Sequence, residues 1–335
     1  MGTDAQGRRL KRYAGLLLSL ATILVIFKLT ETSMTWRVIA GAQPGLLLLA
    51  FVFHLLFWLF WALRLKVLFS ILKSRISVGY ALEATLASMF LAAITPSSAG
   101  GEPLRIKMLV DKGATLGGAS AVVVAERLLD AIFFLLALAL FLALTGFSTR
   151  FGIEIGVAFF AVLVVLLAIL TVAIKKPEGV DKVVQILYPL LSKFLREQRA
   201  EKISAFVSKE ARLFSDAAIE LMTQSPYRLV FASVLTVLLW LFEFLVPSAV
   251  LMAFNQSPVV LYSITAQLII VIVSLIPLTP GSSGIAETSM VYLYSRFVTV
   301  STVGLLVGVW RAITYFSNLI VGFIVTAKVI KASLK

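Results

Sequence analysis

The chain has 335 residues, 60% of them hydrophobic and 14% charged, with no cysteine and a single histidine, His54. Soluble domains are roughly 45–50% apolar, so this composition and a mean hydropathy of +1.01 mark an integral membrane protein. The missing cysteines exclude disulfides, thiolate chemistry and Cys-based metal sites, and one histidine argues against a zinc or histidine-base enzyme. The net charge of +13 would suggest nucleic acid for a soluble chain, but the basic residues here lie between apolar runs, where anionic headgroups are the fitting partner.

In chain order, Arg8, Arg9, Lys11 and Arg12 precede an apolar run from Tyr13 to Phe27 that resembles a signal peptide. No small-residue cleavage site follows, so the run reads as a retained first span. A spanning helix needs roughly 20 apolar residues. The segments 13–31, 43–63, 116–147, 152–174, 228–254 and 300–327 satisfy this. Two further apolar regions, 78–113 and 258–297, are each interrupted near the middle by a Pro/Gly break. An arm of about 15 residues rises only about 22 Å, short of the ~30 Å hydrocarbon core. Both regions therefore read as re-entrant helical hairpins. The one sizeable polar stretch, 176–226, carries helical apolar spacing with basic residues between. It reads as amphipathic helices on the cytoplasmic membrane surface, or as a docking element for a partner.

Charge placement tests this layout. With a cytoplasmic N-terminus, six spans and two re-entrant hairpins put five basic clusters inside. These are residues 8–12, Arg64 to Arg75, Arg105 to Lys112, the linker, and Lys328 to Lys335. Only Lys28, Arg37, Arg150 and Arg296 fall outside, and Arg127 and Arg311 lie within spans. The expected fold is an all-α, multi-pass membrane protein with both termini cytoplasmic. It divides into two repeats, 1–147 and 152–335, each of three spans and one hairpin. An odd number of spans per repeat inverts one repeat relative to the other, a plan that recurs in secondary transporters.

The two breaks share a pattern. Thr95-Pro96-Ser97-Ser98-Ala99-Gly100-Gly101-Glu102 returns as Thr279-Pro280-Gly281-Ser282-Ser283-Gly284-Ile285-Ala286-Glu287, and each copy is followed about 24 residues later by an arginine, Arg127 or Arg311. Pro96 stops the incoming helix, the glycines allow tight turning and close approach of a ligand, and Pro103 suits the first turn of the outgoing helix. The free N–H groups and positive dipole end of that helix then face the loop, which suits a phosphate. Ser97, Ser98, Ser282 and Ser283 add hydroxyl donors.

Glu102 and Glu287 are ionisable groups at membrane depth. They either pair with Arg127 and Arg311 or meet the ligand. In Glu126-Arg127-Leu128-Leu129-Asp130, Arg127 and Asp130 share a helix face and Glu126 points elsewhere. Glu243 is a candidate lining residue, and His54 reads as an interhelical contact or as pathway lining. No nucleotide-binding fingerprint appears, so no cofactor or ATP is expected.

These motifs together, with Pro103-Leu104-Arg105 after the first and Pro277 before the second, resemble the lysylphosphatidylglycerol synthase transmembrane-region family over nearly the whole chain. The resemblance implies a two-fold pseudosymmetric helical domain with re-entrant hairpins that moves lipids between leaflets, aminoacylated phospholipids in bifunctional members and glycolipid or polyprenyl carriers in others. For this chain a phospholipid or polyprenyl/glycolipid is expected, and no enzyme activity. The chain ends at Lys335 with no soluble synthase domain, so lysyl transfer is not expected. The expected site comprises Ser97, Ser98, Gly100, Gly101, Glu102, Arg105, Arg127, Asp130, Gly281, Ser282, Ser283, Gly284, Glu287 and Arg311. The expected partner is a lipid with a phosphate headgroup. A secondary transporter of a small solute or ion, an intramembrane headgroup transferase, and a membrane partner of a lipid-modifying enzyme or glycosyltransferase are the alternatives. Monomer and homodimer both stay open.

Overall fold

The computed structural model describes residues 19–31, 33–95, 100–146, 150–175, 178–194, 197–276 and 279–333. Every regular element among them is helical. The chain begins with α1 (Ser19–Thr30), α2 (Ser33–Ala40), α3 (Pro44–Ile71), α4 (Val78–Ile94), α5 (Gly101–Val110) and α6 (Leu116–Thr145). It continues through α7 (Arg150–Lys175), α8 (Glu178–Phe194), α9 (Glu197–Thr223) and α10 (Pro226–Ala253). It closes with α11 (Val260–Ser274), α12 (Ile285–Tyr294), α13 (Val300–Arg311) and α14 (Ser317–Ser333).

Five helices are long and apolar enough to cross a membrane: α3, α6, α7 from Ile153, α10, and the run Val300–Lys331. That last run joins α13 to α14 through a π-helical turn at Ala312–Phe316. The expected first span is seen from Ser19 onward, and its earlier part lies outside the described residues. α3 runs to Ile71 rather than stopping at residue 63, which changes the surroundings of Arg64 as described below.

Both broken regions fold as helix pairs. α4 and α5 have 17 and 10 residues, and α11 and α12 have 15 and 10. At 1.5 Å per residue these arms span about 15 to 26 Å, and the two arms of each pair pack together. The first break begins where the sequence dictates. Thr95 precedes a proline and is extended, at φ −103° and ψ 144°, because a residue before proline is pushed out of the helical region. Its hydroxyl donates to Leu91 O at 2.6 Å and accepts from Gly100 N at 3.0 Å, so one side chain ties the end of α4 to the start of α5. At the second break Thr279 Oγ1 donates to Ser283 O (2.8 Å) and Ser282 Oγ to Ser274 O (2.7 Å).

Lipid is as apolar as leucine, so packing and polar contacts hold the helices together rather than the hydrophobic effect. α3 lies along α10 in the broadest pairing, α4 packs on α14, and α11 packs on α6. Small residues permit the close approaches. A Cβ on Gly322 of α14 would lie 2.7 Å from Leu86 O and from Phe90 Cβ of α4. Aromatic rings fill the centre, where Phe57 meets Trp61 and Trp240, and Trp240 meets Phe134 and Phe244. In the polar stretch, α9 docks on the bundle. Glu210 Oε2 accepts from Gly117 N near the start of α6 (2.7 Å), and Ser215 Oγ donates to Ile174 O of α7 (2.6 Å). Arg212 holds Asp181 of α8 at 2.7 Å.

Candidate functional site

The two breaks converge on one cavity of about 280 Å³. Its wall combines Trp61 of α3, Ser88, Met89 and Ala92 of α4, Gly101, Glu102 and Arg105 of α5, and Arg127 of α6. Ser274, Leu275, Ile276, Thr279 and Ser282 come from the second break. Leu275 and Ile276 are more than half exposed, so two exposed apolar side chains stand at the edge of this charged cavity.

A buried ion network stands behind it. Glu126 is fully buried and uses both oxygens. Oε1 accepts from Arg64 Nε at 3.3 Å, and Oε2 from Arg105 Nη1 at 2.8 Å. Arg105 also donates to Ser88 Oγ, at 2.5 Å from Nη2. Asp130 takes Arg64 through both carboxylate oxygens, at 2.5 and 3.3 Å, and accepts from Trp240 Nε1 at 2.8 Å. Arg64 Nη1 further reaches Thr236 Oγ1 at 3.1 Å. Arg127 Nη1 lies 3.3 Å from Asp130 Oδ2, as the shared helix face predicts.

The guanidinium groups of Arg64, Arg105 and Arg127 sit 5.6, 4.9 and 5.3 Å from the Trp61 ring centroid. That indole supplies the electron-rich face that desolvated cations favour. Three arginines and three carboxylates (Glu102, Glu126, Asp130) balance in this cluster. Glu126 and Asp130 are buried, whereas the side chains of Arg127 and Glu102 are 38% and 49% exposed. Arg127 Nε stands 3.0 Å from Glu102 Oε1, yet its N–H makes no aligned hydrogen bond.

The second pair differs in setting. Glu287 is fully buried and accepts from Arg311 Nε at 2.9 Å, Ser19 Oγ at 2.7 Å and Gly284 N at 2.7 Å. Arg311 also lies 5.1 and 4.9 Å from the ring centroids of Trp310 and Tyr315. Gly281 holds φ +58°, and Tyr315 Oη donates to Ala93 O at 3.3 Å, so the second break rests on the end of α4.

Of the fourteen expected site residues, Gly101, Glu102, Arg105, Arg127 and Ser282 line the cavity, and Asp130 stands directly behind it. Gly100 abuts the cavity as the residue preceding α5. Gly281, Ser283, Gly284, Glu287 and Arg311 form the second, sealed cluster. Ser97 and Ser98 lie outside the described residues.

Two basic residues are corrected. Arg64 and Arg105, counted from the sequence among cytoplasmic clusters, are buried in the ion network. α3 continues for two more turns beyond Arg64, so that residue faces helices instead of headgroups. Without these two, most of the basic residues still fall in the clusters expected inside. Sequence reasoning also missed Trp61 and Ser88. A second polar cluster lies elsewhere between α3, α10 and α14. His54 Nδ1 is 2.7 Å from Glu243 Oε2, and Asn318 Oδ1 accepts from Trp58 Nε1 at 2.7 Å. His54 is thus an interhelical contact. Among the described residues no group of three His, Asp or Glu side chains is placed to hold a metal ion.

The fold and this buried charge define a multi-pass, all-helical membrane protein. Residues 12–322 match the lysylphosphatidylglycerol synthase TM region family. A UPF0104 membrane protein of Archaeoglobus fulgidus is 49% identical over 310 residues, covering 92% of this chain and 94% of the relative. A second UPF0104 membrane protein, from Pyrococcus horikoshii, is 23% identical over 290 residues, 83% and 85% of the two chains. The chain belongs to the lysylphosphatidylglycerol synthase transmembrane-region family.

Proposed function

We propose that this protein is a membrane lipid translocase, which passes a phosphate-bearing lipid between leaflets without nucleotide hydrolysis or covalent chemistry. The observation that carries this reading is the charged cavity between the two helix breaks, opened past the exposed apolar pair Leu275 and Ile276. A free solute needs a wet entrance. A lipid needs a polar pocket for its headgroup and an apolar rim for its chains.

Arg127 would receive the phosphate. Its side chain is partly exposed at the cavity wall, and the start of α5 adds the positive end of a helix dipole. Glu102 would hold Arg127 in place between ligands. The segments 1–147 and 152–335 would be inverted repeats, with the broken pairs entering as re-entrant hairpins from opposite faces. Supporting this, α3 pairs with α10, the packing of α4 on α14 is matched by α11 on α6, and Glu102–Arg127 is matched by Glu287–Arg311. Rocking one repeat against the other would expose the site to each leaflet in turn. Both termini would be cytoplasmic and the protein would sit in the cell membrane, a reading that the distribution of basic clusters supports.

The test is reconstitution into vesicles carrying trace fluorescent anionic phospholipid, read by quenching of the outer leaflet. Quenching should exceed the outer-leaflet share. Arg127→Ala should slow it by roughly tenfold or more, the scale of one charge-assisted hydrogen bond. A folded wild-type protein that moves neither anionic phospholipid nor glycolipid probes would overturn the reading.

A further inference from the structure

The two arginine–glutamate pairs occupy equivalent places in the repeated pattern but opposite physical states. Glu102 and Arg127 are 49% and 38% exposed at a cavity wall and touch without an aligned hydrogen bond. Glu287 and Arg311 are 0% and 7% exposed, and every oxygen of Glu287 is occupied.

Two elements make the seal. On one side the second break packs onto α4, with Tyr315 bonded to Ala93 O and Ser282 O 3.4 Å from Arg311 Nη2. On the other side lies α1. Ser19 of α1 is fully buried and donates to Glu287 Oε1. α1 meets α13 at two glycines: Thr30 closes on Gly304, and a Cβ on Gly308 would lie 3.7 Å from Ile23 Cγ2. The Ser19 hydroxyl thus joins α1 to the buried carboxylate, and the two glycines let α1 pack closely on α13.

We infer that Glu287 and Arg311 form a second half-site for the same anionic phosphate group, closed in this state, with α1 as its lid. This rests on the translocase reading and adds its second station. The phosphate is met first by Arg127 in the open cavity. When α1 withdraws with Ser19, the buried pair is uncovered and the phosphate can compete with Glu287 for Arg311, while the Glu102–Arg127 pair closes in turn. Equivalent elements caught in unlike states are what a two-state carrier requires, because a ligand can drive the change only by binding the two states differently.

The cysteine-free chain makes the lid directly testable. In Ile23→Cys/Gly308→Cys the two thiols replace side-chain positions in van der Waals contact, close enough for a disulfide or a short bis-methanethiosulfonate linker to tether α1 to α13. Tethering α1 should cut movement of fluorescent phosphatidylglycerol in vesicles at least tenfold, with recovery in dithiothreitol. An equal rate when tethered and reduced would overturn the lid.

A second measurement does not depend on transport. Ser283→Cys replaces a fully buried side chain in the sealed cluster and is the sole thiol for a water-soluble maleimide. Adding Ser19→Ala should loosen the lid and speed labelling at least fivefold. Unchanged labelling would reject the lid whatever the cargo. Faster labelling without any lipid movement would instead keep the lid and reject the lipid reading.

Discussion

Glu126 holds two guanidinium groups at once, from α3 and from α5, and is fully buried. Charge buried in that way adds little net stability as a whole, but removing one member leaves the others uncompensated. Glu126→Gln strands part of the charge of Arg64 and Arg105, and should cost about 3–5 kcal/mol, read as a lower midpoint of thermal unfolding in detergent. Glu102→Gln breaks a half-exposed pair of the kind worth about 0–1 kcal/mol. It should leave the unfolding midpoint nearly unchanged while altering lipid movement. A midpoint drop of equal size in both variants would contradict the division into a structural and a working carboxylate. The pairs themselves were legible in the sequence: a glutamate just past a helix break and an arginine one helix later must meet if unpaired charge is to be avoided in a span. Arg64 was not legible. An arginine at the end of an apolar run looks the same whether it meets headgroups or a buried carboxylate from a helix sixty residues on.

At the level of elements, the second break turns through three residues of positive φ, Gly281, Ser282 and Gly284, of which Gly281 is pressed against Tyr315 and the end of α4. Gly281 sits at φ +58°, and a Cβ there would fall 2.6 Å from Tyr315 Cε2 and 2.9 Å from Ala93 O. Gly281→Ala therefore meets both left-handed strain and a clash against backbone, and should destabilise by about 1–3 kcal/mol. The same change at Gly179 in α8, where a Cβ meets nothing within 4 Å, should be neutral or stabilising by up to about 1 kcal/mol. Comparing the two unfolding midpoints isolates the tip from the general preference for alanine. The breaks could be read in advance because proline and glycine act locally. The π-helical turn at Ala312–Phe316 could not. One extra residue in a turn leaves an apolar run apolar, and only the resulting placement of Tyr315 on Ala93 and of Asn318 beside Trp58 reveals it. The docking of α9 was equally hidden, since its hold on α6 is a contact between Glu210 and a backbone N–H.

For the whole molecule, the decisive property is parity. α7 runs as one helix of 26 residues from Arg150 to Lys175, about 39 Å at 1.5 Å per residue, enough to cross the ~30 Å hydrocarbon core. If the first broken pair returns to its own side of the membrane, the start of α7 is extracellular and α8–α9 lie in the cytoplasm. If α4 and α5 instead cross, the strongly basic linker is outside, against the charge bias. Single cysteines at Arg150→Cys and Glu201→Cys discriminate between these, because the background has no thiol to compete. In intact cells an impermeant maleimide should modify position 150, and position 201 should react only after permeabilisation. Both positions labelling from one side would remove the inversion, and with it the equivalence of Arg127 and Arg311 on which alternating exposure depends. Reaction of position 201 alone in intact cells is the outcome expected if α4 and α5 cross. With an even number of crossings before α7 the two halves would no longer be inverted, and Arg127 and Arg311 could not serve opposite faces in turn.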